Sequence, residues 1–142
     1  MTVQEVLLPS FVEVVLTFVL MFWMASLRGR DFRAGVANYD SVALREPNWS
    51  VGTLKFAYSY SNQFELPILF YALTILAYFT HHAGYLFVVL AWIFVIFRIL
   101  HAYVHVTSNN VRVRGPLFGV SALVLAIMWI IYIVEMLTSP WV

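Results

Sequence analysis

The chain has 142 residues, of which 63% are hydrophobic, 18% aromatic and only 11% charged. An average soluble domain is about 25% charged, so these few charged side chains cannot cover a water-exposed surface. The net charge of +1 gives no basic footprint for a nucleic-acid partner. The lack of cysteine excludes disulfides, thiolate metal sites and cysteine nucleophiles. The composition therefore indicates an integral membrane protein.

Four segments are long and apolar enough to cross a bilayer, which requires about 20 residues. These spans are predicted at residues 6–27, 56–79, 84–105 and 116–137. Only His81–Gly84 separates the second span from the third, which predicts a tight helical hairpin turn, and Gly115-Pro116 predicts the start of the fourth helix. With no internal repeat and no second domain, residues 1–142 are expected to form one all-α, four-helix membrane bundle.

The basic residues predict which loops face the cytosol. Seven of the eight lie in the loops after the first and third spans: Arg28, Arg30, Arg33, Arg45, Lys55, Arg112 and Arg114. The amino-terminal stretch, the outer turn and the carboxyl tail contain no Lys or Arg. By the positive-inside rule, loops 28–55 and 106–115 are expected to be cytosolic and both termini to lie outside.

Two spans carry polar residues at helical spacing. Charges inside a span are costly to bury, so they mark a functional site by default. On the second span the polar residues are Lys55, Tyr58, Asn62 and Glu65. On the third span they are Arg98, His101 and His105, and the stripe is expected to continue along the same helix through Asn109 and Arg112.

Glu65 and Arg98 are expected to form an ion pair in a cytosol-facing polar pocket. At about 1.5 Å per residue, both lie roughly 10–14 Å below the cytosolic interface, so each can offset the burial cost of the other. Pro67 is expected to kink the second helix beside them, because it leaves the carbonyl of Gln63 without a helical donor. The same pair could instead serve only to fix the helix register.

Other interpretations of these polar residues stay open. A buried amide such as Asn62 often only holds helices together. His101 and His105 have the spacing of two metal ligands, with Glu65 as a third, but the only other histidines lie at the opposite membrane side, and no metal site is expected. Glu13, the only charge in the first span, is expected either to meet a neighbouring subunit or to take up a proton.

Two motifs carry a family resemblance. The segment Asn62-Gln63-Phe64-Glu65-Leu66-Pro67 resembles the Asn-x-x-Glu signature, with a following proline, of the membrane-associated proteins in eicosanoid and glutathione metabolism (MAPEG). Arg98-x-x-His101, followed by Arg112 and Arg114, resembles the third-helix motif of that family. The four spans, the long first loop and the basic third loop also fit, so the resemblance covers essentially the whole chain.

The resemblance implies a homotrimer of four-helix bundles that binds glutathione between subunits and directs its thiolate at a lipophilic electrophile. The residues that would bind glutathione, carried over by position, are Asn62, Glu65, Arg98, His101 and His105. Arg112 or Arg114 would stabilise the thiolate. Arginine suits this role because it stays protonated when partly desolvated, and a nearby cation raises the thiolate fraction at neutral pH.

The chain departs from the family pattern at three positions. Tyr58 stands where glutathione-using members typically carry arginine, His105 where they carry tyrosine, and Pro67 follows the glutamate by two residues rather than three. The leading prediction is a glutathione-dependent transferase or peroxidase. The alternative, which Tyr58 favours, is a non-catalytic lipid-binding or scaffold subunit of the same fold. A small transporter that titrates Glu13 and Glu65 is disfavoured by their different depths.

Overall fold

The computed structural model describes residues 1–44 and 47–138, and Arg45, one of the basic loop residues, lies outside the described residues. The described part consists of helices and turns, which confirms the all-α class. Its elements are α1 (Val3–Arg33), α2 (Tyr39–Val42), α3 (Val51–Ser61), a 3₁₀ turn (Asn62–Phe64), α4 (Leu66–Phe79), α5 (Tyr85–Val106) and α6 (Val111–Thr138).

Among the described residues, three helices are long and apolar enough to cross a membrane, namely α1, α5 and α6. They correspond to the first, third and fourth predicted spans. The predicted start of the fourth helix at Gly115-Pro116 is wrong, since α6 begins at Val111 and contains Pro116. The side chain of Asn110 supports the earlier start by accepting a hydrogen bond from the Arg112 N–H at 3.0 Å.

The second predicted span, residues 56–79, is not one helix. It is divided into α3 with 11 residues and α4 with 14, each shorter than a bilayer requires on its own. Between them lie the 3₁₀ turn and Glu65, whose φ of −101° and ψ of −102° are not helical. Pro67 occupies the first turn of α4, where its missing N–H is tolerated. The kink expected there is therefore a complete helix break.

The polar stripe of the third span stops at His105. Helix α5 ends at Val106, and Asn109 then adopts a left-handed φ of 52°, which asparagine tolerates better than most residues. At this end of α5, the ammonium group of Lys55 donates a hydrogen bond to the carbonyl oxygen of Thr107 at 2.6 Å. Arg112 consequently belongs to the first turn of α6, and its predicted alignment with Arg98 on one helix face is wrong.

The tight turn between α4 and α5 forms as predicted. Helix α4 ends at Phe79, helix α5 begins at Tyr85, and His81 in the connection has a φ of 59°. Helix α5 then packs against α1, α3 and α6. Phe70 of α4 stacks on Phe94 of α5 with their ring centroids 4.6 Å apart, and both are fully buried. Because α5 has neighbours on several sides, the polar residues on its buried face point into the bundle.

Hydrogen bonds connect the two ends of the first loop, at the end of α1 and the start of α3. Asp31, near the end of α1, is 2% exposed and accepts hydrogen bonds from the N–H and hydroxyl of Ser50, each at 3.0 Å, and from the hydroxyl of Thr53 at 2.6 Å. The Ser50 hydroxyl in turn caps α3 by accepting from the Thr53 N–H at 3.4 Å. The end of α1 is thereby held against the start of α3.

Candidate functional site

A fully buried ion pair joins α1 to α5. The Nε atom of Arg98 lies 3.7 Å from Oε1 of Glu13, and both side chains are 0% exposed. The predicted pairing of Arg98 with Glu65 is therefore wrong. Glu65 sits at the helix break and is exposed, and it interacts with the Arg98 charge without forming a salt bridge.

Glu13 is the residue that the sequence interpretation left without a partner inside the chain. The sequence contains a signal for the partner of Glu13, because Glu13 is the only charge in the first span and Arg98 is the only Lys or Arg inside the third. Two opposite charges that are each isolated in apolar helices offset each other's burial cost best by pairing. Glu13 therefore pairs with Arg98 of the same chain, where the sequence had suggested a partner in a neighbouring subunit.

Arg98 also contacts two further elements. Its Nη2 atom donates to the carbonyl oxygen of Asn62 in the 3₁₀ turn at 3.0 Å, and its Cζ atom lies 5.9 Å from the ring centroid of Phe118 on α6. Asn62 therefore meets Arg98 through its backbone and not through its amide side chain. The guanidinium group is held between α1, the helix break and α6.

His101 and His105 continue the buried polar face of α5 beyond Arg98. They are 2% and 4% exposed, and their ring centroids are 5.6 Å apart. His101 also lies 5.6 Å from the Phe118 ring. Over residues 1–44 and 47–138, no group of three or more His, Cys, Asp and Glu side chains is arranged to hold a metal ion.

Several buried polar atoms in this region have no hydrogen-bond partner within the part of the chain that the structure describes. They are both carboxylate oxygens of Glu13, Nε and Nη1 of Arg98, Oδ1 of Asn62, Oε1 of Gln63 and Nδ1 of His101 and His105. Buried polar atoms are normally bonded to protein or to ordered water. The cluster therefore has both donors and acceptors left for a polar ligand or for water.

The two candidate thiolate-stabilising arginines have different surroundings. Arg112 is exposed on the first turn of α6. Arg114 is partly buried, its guanidinium donates to the side-chain oxygen of Asn109, and its charge interacts with both His101 and His105. The structure therefore brings Arg114 towards the histidines and leaves Arg112 exposed.

A cavity of about 490 Å³ lies beside the end of α1 and the outer surface of α3. Its lining includes Arg28, Trp49, Tyr58 and Ser61. The guanidinium of Arg28 lies over the Trp49 ring, with Cζ 5.0 Å from the ring centroid. This cavity is lined by Arg28 and Tyr58 rather than by the predicted pair of Glu65 and Arg98.

Comparison with known proteins gives one positive result. The sequence model of the MAPEG family matches residues 6–134, a range that includes the ion pair, the helix break, both buried histidines and both candidate arginines. No curated protein and no solved structure matches the chain.

Proposed function

Since the chain belongs to the MAPEG family of integral membrane proteins, we propose that it is a glutathione-dependent transferase or peroxidase for a lipophilic electrophile. One observation carries the proposal. The polar face of α5, with Arg98, His101 and His105, meets the broken segment that contains Asn62 and Glu65. These are the positions at which the chain resembles the two motifs of the family.

Glu65 would bind the amino group of glutathione. Its carboxylate is exposed. Within the described residues the salt bridge of Arg98 is to Glu13, and Glu65 interacts with the Arg98 charge only at longer range. A carboxylate that forms a charge-assisted hydrogen bond to an ammonium group contributes more than a neutral donor or acceptor would. Asn62, in the same broken segment, would bind the peptide backbone of the tripeptide with its amide group.

Arg114 would stabilise the glutathione thiolate. Its surroundings support this choice over Arg112, because it is partly buried, oriented by Asn109 and close to the two histidines. A permanent cation beside a thiol raises the fraction of thiolate, which is the nucleophile. In a transferase the thiolate sulfur bonds to an electrophilic carbon of the substrate, and the displaced electron pair leaves with a leaving group or moves onto a conjugated acceptor that then takes up a proton. In a peroxidase the sulfur attacks the terminal oxygen of a hydroperoxide, the O–O bond breaks and the alkoxide takes up a proton to leave as an alcohol. A second glutathione then reduces the resulting sulfenic acid, which gives glutathione disulfide and water.

The proposed assembly is a homotrimer of four-span subunits. In each subunit α3, the 3₁₀ turn and α4 would together form the second of the four spans, with loops 28–55 and 106–115 in the cytosol and both termini outside. The exposed position of Glu65 supports a site that is completed by a neighbouring subunit, since a single chain surrounds this carboxylate on one side only.

A non-catalytic lipid-binding or scaffold subunit is the second candidate. Tyr58 favours it, because it lines the cavity beside α3 at a position where glutathione-using members of the family typically carry arginine. Arg28 lines the same cavity and supplies a cation there. The tyrosine at position 58 therefore argues less strongly against glutathione binding.

Calorimetric titration with glutathione separates the two candidates. We expect the purified protein in detergent to bind glutathione, and Glu65→Gln to weaken binding because it removes the countercharge for the amino group. Glu135→Gln changes an exposed carboxylate at the far end of α6 and serves as the matched control. No heat at millimolar glutathione would exclude the enzyme and leave the lipid-binding or scaffold role.

A further inference from the structure

We propose that Glu13 is a positioning residue that acts through Arg98 to hold the broken segment between α3 and α4, and with it the candidate ligand-binding residues. Three groups from distant parts of the chain carry this inference: the Glu13 carboxylate, the Arg98 guanidinium and the Asn62 carbonyl oxygen. One of its two tests rests on the proposed glutathione function, and the other is independent of it.

The broken segment lacks strong backbone hydrogen bonds where Arg98 contacts it. The carbonyl of Asn62 accepts a long bond of 3.4 Å from the Glu65 N–H, and Pro67 has no N–H to offer to the carbonyl of Gln63. Carbonyl groups without a donor are costly at membrane depth. The 3.0 Å bond from Arg98 Nη2 therefore supplements the long backbone bond to the Asn62 carbonyl with a shorter one from a charged donor.

Arg98 can hold Asn62 only if its own charge is compensated. A buried cation without a counter-charge is strongly destabilising, so the side chain would move or draw water towards itself. Glu13 provides the counter-charge at 3.7 Å, and within residues 1–44 and 47–138 it is the carboxylate at salt-bridge distance from Arg98.

Glu13 itself cannot touch a ligand, because its side chain is 0% exposed in the single chain. Its influence must therefore pass through Arg98 to the Asn62 carbonyl, three residues before the exposed Glu65. The loss of the Glu13 charge is expected to move Asn62 and Glu65 without removing any group that contacts ligand.

The first test measures the geometry of the break. The chain has no native cysteine, so cysteines introduced at the exposed residues Val51 on α3 and Ile75 on α4 can carry spin labels. Labelled protein is diluted into unlabelled protein so that distances within one chain dominate. We expect a single narrow distance distribution in the parent protein and a broad or shifted one in Glu13→Gln. The control Glu135→Gln should match the parent, and a narrow, unshifted distribution in folded Glu13→Gln would overturn the proposal.

A second variant keeps this test decisive if Glu13→Gln does not fold. The double variant Glu13→Leu/Arg98→Met removes both charges together, and replacing a buried ion pair by apolar residues is often neutral or stabilising. It also removes the donor to the Asn62 carbonyl, so we expect a folded protein with a broad distribution. A narrow, parent-like distribution in this variant would show that the pair only fills the core, and would overturn the proposal.

The second test measures glutathione binding by calorimetry in the same variants. We expect the dissociation constant to rise at least about tenfold in Glu13→Gln, because the hydrogen bonds from glutathione to Glu65 and Asn62 lose their geometry, and tenfold corresponds to about 1.4 kcal/mol. Unchanged affinity together with a broadened break would overturn the link from Glu13 to the ligand-binding residues. If the parent protein binds no glutathione, the proposed function fails, and the spin-label distances still decide whether Glu13 positions the break.

Discussion

Lys55, in the first half of α3, donates a hydrogen bond over 2.6 Å to the carbonyl oxygen of Thr107, the residue directly after α5. At the other end of α3, Arg98 on α5 donates to the carbonyl of Asn62. Two cations therefore attach the α3 segment to α5, one in the first half of α3 and one just after its last residue, and both donate to main-chain carbonyl groups near helix ends. This arrangement sets the position of the break relative to the buried face of α5.

The Lys55 contact predicts a measurable loss of stability. Lys55→Met keeps an unbranched side chain but removes the donor and the positive charge at the carboxyl end of α5. We expect a loss of about 1 kcal/mol, the size of a typical hydrogen bond with a favourable helix-end charge. Thermal unfolding in detergent measures the effect, with Arg33→Met as the control because the exposed Arg33 guanidinium bonds only within its own helix. Equal changes in both variants would contradict a specific role for Lys55.

Much of the helical framework was predictable from the sequence, because apolar periodicity and length determine where long membrane helices form. The hairpin turn at His81–Gly84 and the buried polar face of Arg98, His101 and His105 follow from that pattern. The helix break did not follow in full. Pro67 predicted a kink, but the sequence pattern of residues 56–79 does not reveal a 3₁₀ turn.

The partner of Arg98 was mispredicted for a related reason. Glu13 and Glu65 were both available, and an unbroken second helix would have placed Glu65 opposite Arg98. Glu65 lies exposed at the break, whereas the packing of α1 against α5 brings Glu13 to salt-bridge distance from Arg98. Which helices become neighbours is a property of the packed bundle, and the charge pattern of one chain does not specify it.

The two candidate thiolate-stabilising arginines predict different kinetic effects. Arg114→Ala removes the cation that lies near His101 and His105, so we expect kcat to fall by about 100-fold, as for the loss of one transition-state-stabilising donor. Arg112→Ala removes an exposed cation and should reduce kcat much less. Conjugation of glutathione to an aromatic electrophile in detergent is the assay, with Arg33→Ala as a control for the loss of surface charge. The reverse order of effects would assign the role to Arg112.

The hydrogen bonds that Asp31 accepts predict that the stability of the first loop depends on this one carboxylate. Asp31→Ala removes the acceptor for three hydrogen bonds from Ser50 and Thr53. We expect a loss of about 1–3 kcal/mol, because the remaining donors are left partly buried and unpaired. Limited proteolysis should then cut the loop faster than in the parent protein. Asp40→Ala, which changes an exposed carboxylate of the same loop, should leave the cleavage rate unchanged.

The stacked pair of Phe70 and Phe94 predicts the largest effect on stability. Both rings are 0% exposed, and they join α4 to α5 just beyond the helix break. Phe70→Ala should destabilise the protein by about 3–5 kcal/mol, because the tightly packed interior cannot close the cavity that it leaves. Phe79→Ala, at a position that is 74% exposed, is the matched control and should change stability little. Similar losses in both variants would mean that the aromatic residues of α4 stabilise the protein through lipid contact rather than through packing on α5.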